Sequence, residues 1–83
     1  MYYVYIALCH DKTLYTGITT DLARRIHEHN TSARAAAYTA ARRPVVLCYH
    51  ETAADRPVAL RRERMIKRLT RAQKLRLIAK ATP

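Results

Sequence analysis

The chain opens on a run of strand-forming residues, Tyr2-Tyr3-Val4-Tyr5-Ile6-Ala7-Leu8, whose alternate positions fall on opposite faces. Tyr3 and Tyr5 share one face, and Tyr2, Val4, Ile6 and Leu8 share the other. The polar segment 9–13 reads as a turn and 14–18 as a second strand, so the two form a hairpin. Thr20 or Asp21 then caps a helix to about residue 30, with Leu22 and Ile26 on its packing face. Residues 31–43 give weaker signals. Ala35, Ala36 and Ala37 favour helix, whereas Thr31-Ser32 and Arg42-Arg43 indicate a loop holding at most a short helix. Pro44 introduces the continuous apolar run Val45-Val46-Leu47-Cys48-Tyr49, the pattern of a buried strand. From Asp55, an N-cap residue with Pro57 in the first turn behind it, the period is helical over 56–69. Thr70-Arg71-Ala72-Gln73 has the form of a capping box and opens a last helix that packs through Leu75 and Ile78. The order ββα, an irregular segment, β and αα predicts one α+β domain over 1–83. It holds a small three-stranded antiparallel sheet flanked by helices.

Three helical polar residues break this pattern. Arg25 follows Leu22 by three and leans toward the packing side, and His29 follows Arg25 by four on the same stripe. Glu63 lies four after Ala59 and three before Ile66, on the packing face of a helix whose other polar residues, Arg61, Arg62, Arg64, Lys67 and Arg68, are basic. A half-buried carboxylate needs a charged partner. A salt bridge to an arginine such as Arg25 meets that need, and so does a bound cation. His29 by itself fits a packed histidine equally well. Tyr2, Tyr3 and Tyr49 read as the aromatic core of a chain with no Phe and no Trp. Gly17, the single glycine, marks a close approach in the second strand.

Charge narrows the partners. Sixteen Lys and Arg against six Asp and Glu give a net charge of +10, which favours a polyanion, nucleic acid above all, over an anionic membrane or an acidic protein. No apolar run approaches the roughly 18 residues of a membrane span. No secretory leader pattern precedes the first strand, and two cysteines do not make a disulfide scaffold. A cytoplasmic protein is expected.

The residues in order resemble the GIY-YIG nuclease superfamily, specifically its small stand-alone bacterial members. Tyr3-Val4-Tyr5 and, ten residues on, Tyr15-Thr16-Gly17 are similar to its paired triplets. Arg25 and His29 follow Tyr15 by ten and fourteen residues, and Glu63 sits on a late helix. The first triplet here has Tyr and Val in place of Gly and Ile, and the second has Thr in place of Ile. The segment before Tyr38 is Ala-rich where relatives carry Gly and Lys.

The resemblance implies a metal-dependent endonuclease that hydrolyses DNA, with RNA an open alternative. Glu63 would hold Mg²⁺ or Mn²⁺, Tyr5 would act as general base with Tyr15 beside it, and Arg25 would meet the phosphate. Such a reaction needs a base for water and positive charge on the phosphate. Arginine's fork suits two phosphate oxygens. A free phenol titrates near pH 10, so Tyr5 requires nearby cations, and His29 can share the base role. Arg42, Arg43, Arg61, Arg62, Lys67 and Arg68 are candidate phosphate contacts, or solvated surface charges, and Tyr38 a candidate base-stacking residue. Two other readings stand beside this one: a non-catalytic DNA- or RNA-binding module, and a basic structural protein of a ribonucleoprotein. A zinc site from Cys9, His10, Cys48 and His50 would lack the usual paired-ligand spacing.

Overall fold

The structure is a computed structural model that describes residues 1–32 and 36–81. Ala35, the first of the alanine run, lies outside the described residues. Strands β1 (Tyr2–Leu8), β2 (Leu14–Thr19) and β3 (Val46–Ala53) form one antiparallel sheet in the order β2-β1-β3. Helices α1 (Leu22–Thr31) and α2 (Ala37–Ala40) fall between β2 and β3, and α3 (Arg56–Lys67) and α4 (Arg71–Ala81) follow β3.

The central strand explains the layering. Alternation along β1 sends Val4 and Ile6 to one face, where they pack with Ala53 and with Ala59 and Ile66 of α3. It sends Tyr5 and Ala7 to the other face, with Cys9, Val45, Leu22 and Ile26. Both faces are thus covered, one by α3 and one by α1. Gly17 lies opposite Tyr5 across β1 and β2, and His50 lies opposite Tyr5 on β3.

The helix caps follow the local sequence. The Asp21 carboxylate accepts from Arg24 N–H, and the Asp55 carboxylate accepts from Val58 N–H, each worth about 1 kcal/mol. Thr70 and Gln73 satisfy one another reciprocally at the start of α4. Among its described residues the irregular segment holds the short helix α2, in line with its mixed signals.

Two expectations are corrected. The apolar run after Pro44 is not a buried strand. β3 starts at Val46, sits at the sheet edge and continues through polar residues to Ala53, leaving Val46 and Leu47 exposed. Val45, just outside the strand, is the buried member, held by Asn30, whose side chain both accepts from Val45 N–H and donates to its carbonyl. On α4, Leu77 and Ile78 meet the core while Leu75 is exposed, because the helix rests on the sheet through one narrow side.

Candidate active site

Tyr5 forms the floor of the site at 1 % exposure. Room for its ring comes from Gly17. A Cβ on Gly17 would stand 2.6 Å from the Tyr5 hydroxyl and 2.8 Å from Cζ. Gly17 does not have positive φ, so the glycine serves close approach and not an unusual backbone.

Helix α1 lays two side chains over that hydroxyl. His29 Nε2 lies 2.7 Å from Tyr5 Oη, and the Arg25 guanidinium is close enough to the same hydroxyl to lower its pKa. The four-residue spacing puts both on one stripe. Arg25 also pairs with Glu28 at 3.1 Å. His29 is completely buried, and its Nδ1 lies 2.7 Å from Thr39 Oγ1 on α2. Tyr15 extends from β2 on the same sheet face as Tyr5. Its ring is 6.4 Å from that of Tyr5, 5.3 Å from His29 and 6.1 Å from Tyr38.

Glu63 arrives from α3, where Ala59 and Ile66 are the buried flanking positions. Its side chain is 17 % exposed, and its partner is Lys67 Nζ at 3.7 Å on the same helix, not an arginine of α1. This carboxylate is thus already paired with a positive charge. Among the described residues no three His, Cys, Asp or Glu gather, so the Cys9, His10, Cys48 and His50 set does not assemble. One partly exposed hard-oxygen ligand suits Mg²⁺ or Mn²⁺ completed by water and substrate oxygens.

The electrostatics tie these groups together. Burial pushes the Tyr5 phenol up to about 12, and Tyr15 adds to the rise. The Arg25 hydrogen bond and charge pull it down, and Glu63 pushes it up again. Burial lowers His29 to about 4, and the Arg25 charge and then Arg43 add to the fall against the opposing pull of Glu28. At neutral pH the pair rests as phenol and neutral imidazole.

Several expected phosphate contacts also have partners within the fold. Arg43 donates to the carbonyls of His29 and Ser32, tying the end of α1 to the β3 approach. Arg62 pairs with Glu51, which also accepts from Tyr49. Arg42 pairs with Asp11 at 2.9 Å and lies 3.9 Å over the Tyr38 ring. Tyr38 therefore spends its ring on Tyr15 and Arg42. Arg61 on α3 and Arg68, which caps its C-terminal end, are exposed. A groove of about 220 Å³, lined by Leu14, Tyr15, Thr16, Tyr38, Lys67 and Lys74, runs beside Tyr15. Sequence reasoning passed over Thr39 and Lys74. Thr39 sits in a one-turn helix too short to show a period, and Lys74 looks like any basic surface residue of α4.

The family model for the GIY-YIG catalytic domain matches residues 1–76. The chain belongs to the GIY-YIG family. A GIY-YIG domain suggests a nuclease-type function. The chain is 56% identical over 77 residues to a UPF0213 protein of Desulfotalea psychrophila, covering 93% of this chain and 70% of that one. It is 49% identical over 77 residues to a UPF0213 protein of Staphylococcus haemolyticus, covering 93% of each. The solution NMR structure of a UPF0213 protein from Bacillus halodurans has the same fold, with a TM-score of 0.60 and 40% identity over 95% of this chain and 84% of that one. No helix among the described residues is long and apolar enough to cross a membrane.

Proposed function

We propose that this GIY-YIG domain is a divalent-metal-dependent endonuclease acting on DNA. The observation that carries the reading is the meeting of Arg25 and His29 on the Tyr5 hydroxyl, with Tyr15 and Glu63 close enough to act on it electrostatically. Four elements, β1, β2, α1 and α3, supply these groups, and charge alone would not require them to meet.

Tyr5 accepts a proton from the attacking water, and His29 beside it assists. Tyr15 bounds the entrance and orients water or phosphate. Arg25 offers its fork to the phosphate while lowering the Tyr5 pKa. Glu63 would hold Mg²⁺ or Mn²⁺, which supplies charge stabilisation at the phosphate and leaving oxygen and reverses the upward push of Glu63 on Tyr5. The groove beside Tyr15, with Lys67 and Lys74, gives the nucleic-acid backbone a positively charged approach. Arg61 on α3 and Arg68 at its C-terminal end extend the same charge.

The test is a cleavage panel over single-stranded, duplex and branched DNA and RNA, with Mg²⁺ or Mn²⁺, at near-physiological salt. Strand scission is expected for the wild type. It should vanish in Glu63→Ala while binding persists. A second reading, a non-catalytic nucleic-acid-binding module, draws on the burial of Tyr5 and the charge of +10. Tight binding by a folded wild type that cuts none of these substrates with either metal would select it.

A further inference from the structure

Thr39 has no place in the reading so far, yet its side chain is completely buried and ends on the ring that meets Tyr5. Its hydroxyl contacts two groups, His29 Nδ1 at 2.7 Å and the Ala36 carbonyl at 3.0 Å. A hydroxyl has one proton to give. A carbonyl only accepts, so the 3.0 Å contact assigns the Thr39 proton to the Ala36 carbonyl, which also accepts from Ala40 N–H, and Thr39 Oγ1 is left to accept from His29 Nδ1–H. In a neutral imidazole the other nitrogen then carries a lone pair.

The far end of the chain of bonds agrees independently. The Tyr5 hydroxyl is held among buried groups. Its own proton, at a side chain 1 % exposed, needs a buried acceptor, and His29 Nε2 is 2.7 Å away. The opposite tautomer would aim Nε2–H at the Tyr5 oxygen and would orphan the Tyr5 proton. Every donor and acceptor is satisfied in one direction only, from Tyr5 O–H to His29 Nε2, from His29 Nδ1–H to Thr39 and from Thr39 O–H to Ala36.

We propose that Thr39 is a positioning residue that fixes His29 in the Nδ1–H tautomer and so makes Nε2 the acceptor of the Tyr5 proton during phosphodiester hydrolysis. The proposal rests on the nuclease reading above and adds the direction of proton flow. The water oxygen forms the new bond to phosphorus as one of its O–H bonds breaks, and that proton passes to Tyr5 Oη. The Tyr5 proton passes in the same step to His29 Nε2. The bond from phosphorus to the leaving 3′ oxygen breaks with its electron pair, and that oxygen takes a proton from solvent water. His29 returns its proton through Tyr5 to solvent before the next turnover. Arg25, Glu28 and Arg43 are the charged groups acting on His29. Tyr5, Tyr15 and Thr39 are the uncharged polar groups around it.

Nitrogen-15 NMR of the His29 ring in the full chain tests the tautomer without any cleavage. The wild type should show a protonated Nδ1 and an unprotonated Nε2. Thr39→Val, which keeps the shape and loses the acceptor, should shift His29 toward the Nε2–H form. It should lower kcat about 10- to 100-fold, at or below the low end of what a positioned acid–base group contributes, with KM for DNA unchanged. Thr39→Ser should restore both the tautomer and the rate. An Nε2–H His29 in the wild type overturns the proposal, even should Thr39→Val fail to fold. Unchanged tautomer and rate in a folded Thr39→Val also overturn it. A wild type that is inert on nucleic acid but shows Nδ1–H, lost in Thr39→Val, would refute the nuclease reading and uphold the tautomer assignment.

Discussion

Gly17→Ala is the smallest change that presses directly on the centre of the site. The backbone at Gly17 is open to alanine, so any effect comes from the methyl group. That methyl would lie 2.6 Å from Tyr5 Oη, and ordinary contact begins near 3.4 Å, so the hydroxyl must retreat by about 0.8 Å. A free tyrosine would swing aside at little cost. Tyr5 is held by His29 and Arg25 and is walled in by Tyr15, whose Cε2 would itself be 3.1 Å from the methyl. Overpacking of this kind costs about 1–3 kcal/mol. In a domain of this size that lowers Tm by roughly 4–8 °C for each kcal/mol. Displacing a reacting group by about 1 Å costs on the order of 100-fold in rate, so the cleavage loss should exceed the stability loss. Thermal unfolding and single-turnover cleavage of the folded variant give the two numbers, with DNA affinity as the control. Wild-type Tm and wild-type rate together would refute the argument that Gly17 exists to seat Tyr5.

The buried histidine predicts a pH dependence of stability. The folded pKa of about 4 lies below the unfolded value near 6.5, so the unfolded chain takes up the proton first and stability falls with pH through that interval. Urea denaturation should show about 2 kcal/mol less stability at pH 5 than at pH 7, and His29→Asn should flatten that difference; equal slopes for the two proteins would contradict it. Two arginines should separate by role. Arg43→Met strips donors from the His29 and Ser32 carbonyls and should cost about 1–3 kcal/mol without altering the salt dependence of DNA binding. Arg61→Ala should leave stability within about 0.5 kcal/mol and reduce the slope of log affinity against log salt by about 1. A reversed pattern in those two measurements would show the assignments to be interchanged.

Much of this is legible in the sequence. The hairpin, the Asp21 and Asp55 caps and the Thr70–Gln73 box are local, each set within a few residues, and each forms where the residues indicate. The pattern-breaking positions Arg25, His29 and Glu63 were legible for a related reason, since a polar side chain on a packing face must have a partner. Edge and centre were not legible. Val46 and Leu47 carry the same apolar signal as Val4 and Ile6, and only the strand order β2-β1-β3 exposes one pair and buries the other. Nor does composition separate Arg43, which braces two carbonyls, from Arg61, which stands in solvent.

By itself the sequence determined the elements, the charge of +10 and the residue types available for chemistry, because those depend on near neighbours and on counting. The tertiary structure alone decided that Tyr5 is buried against Gly17, that His29 turns one nitrogen to Tyr5 and the other to Thr39, and that Lys67 stands on Glu63. Those contacts span from four to tens of residues along the chain. Their geometry is set by how α1 and α3 close on opposite faces of β1, and that closure is a property of the packed whole.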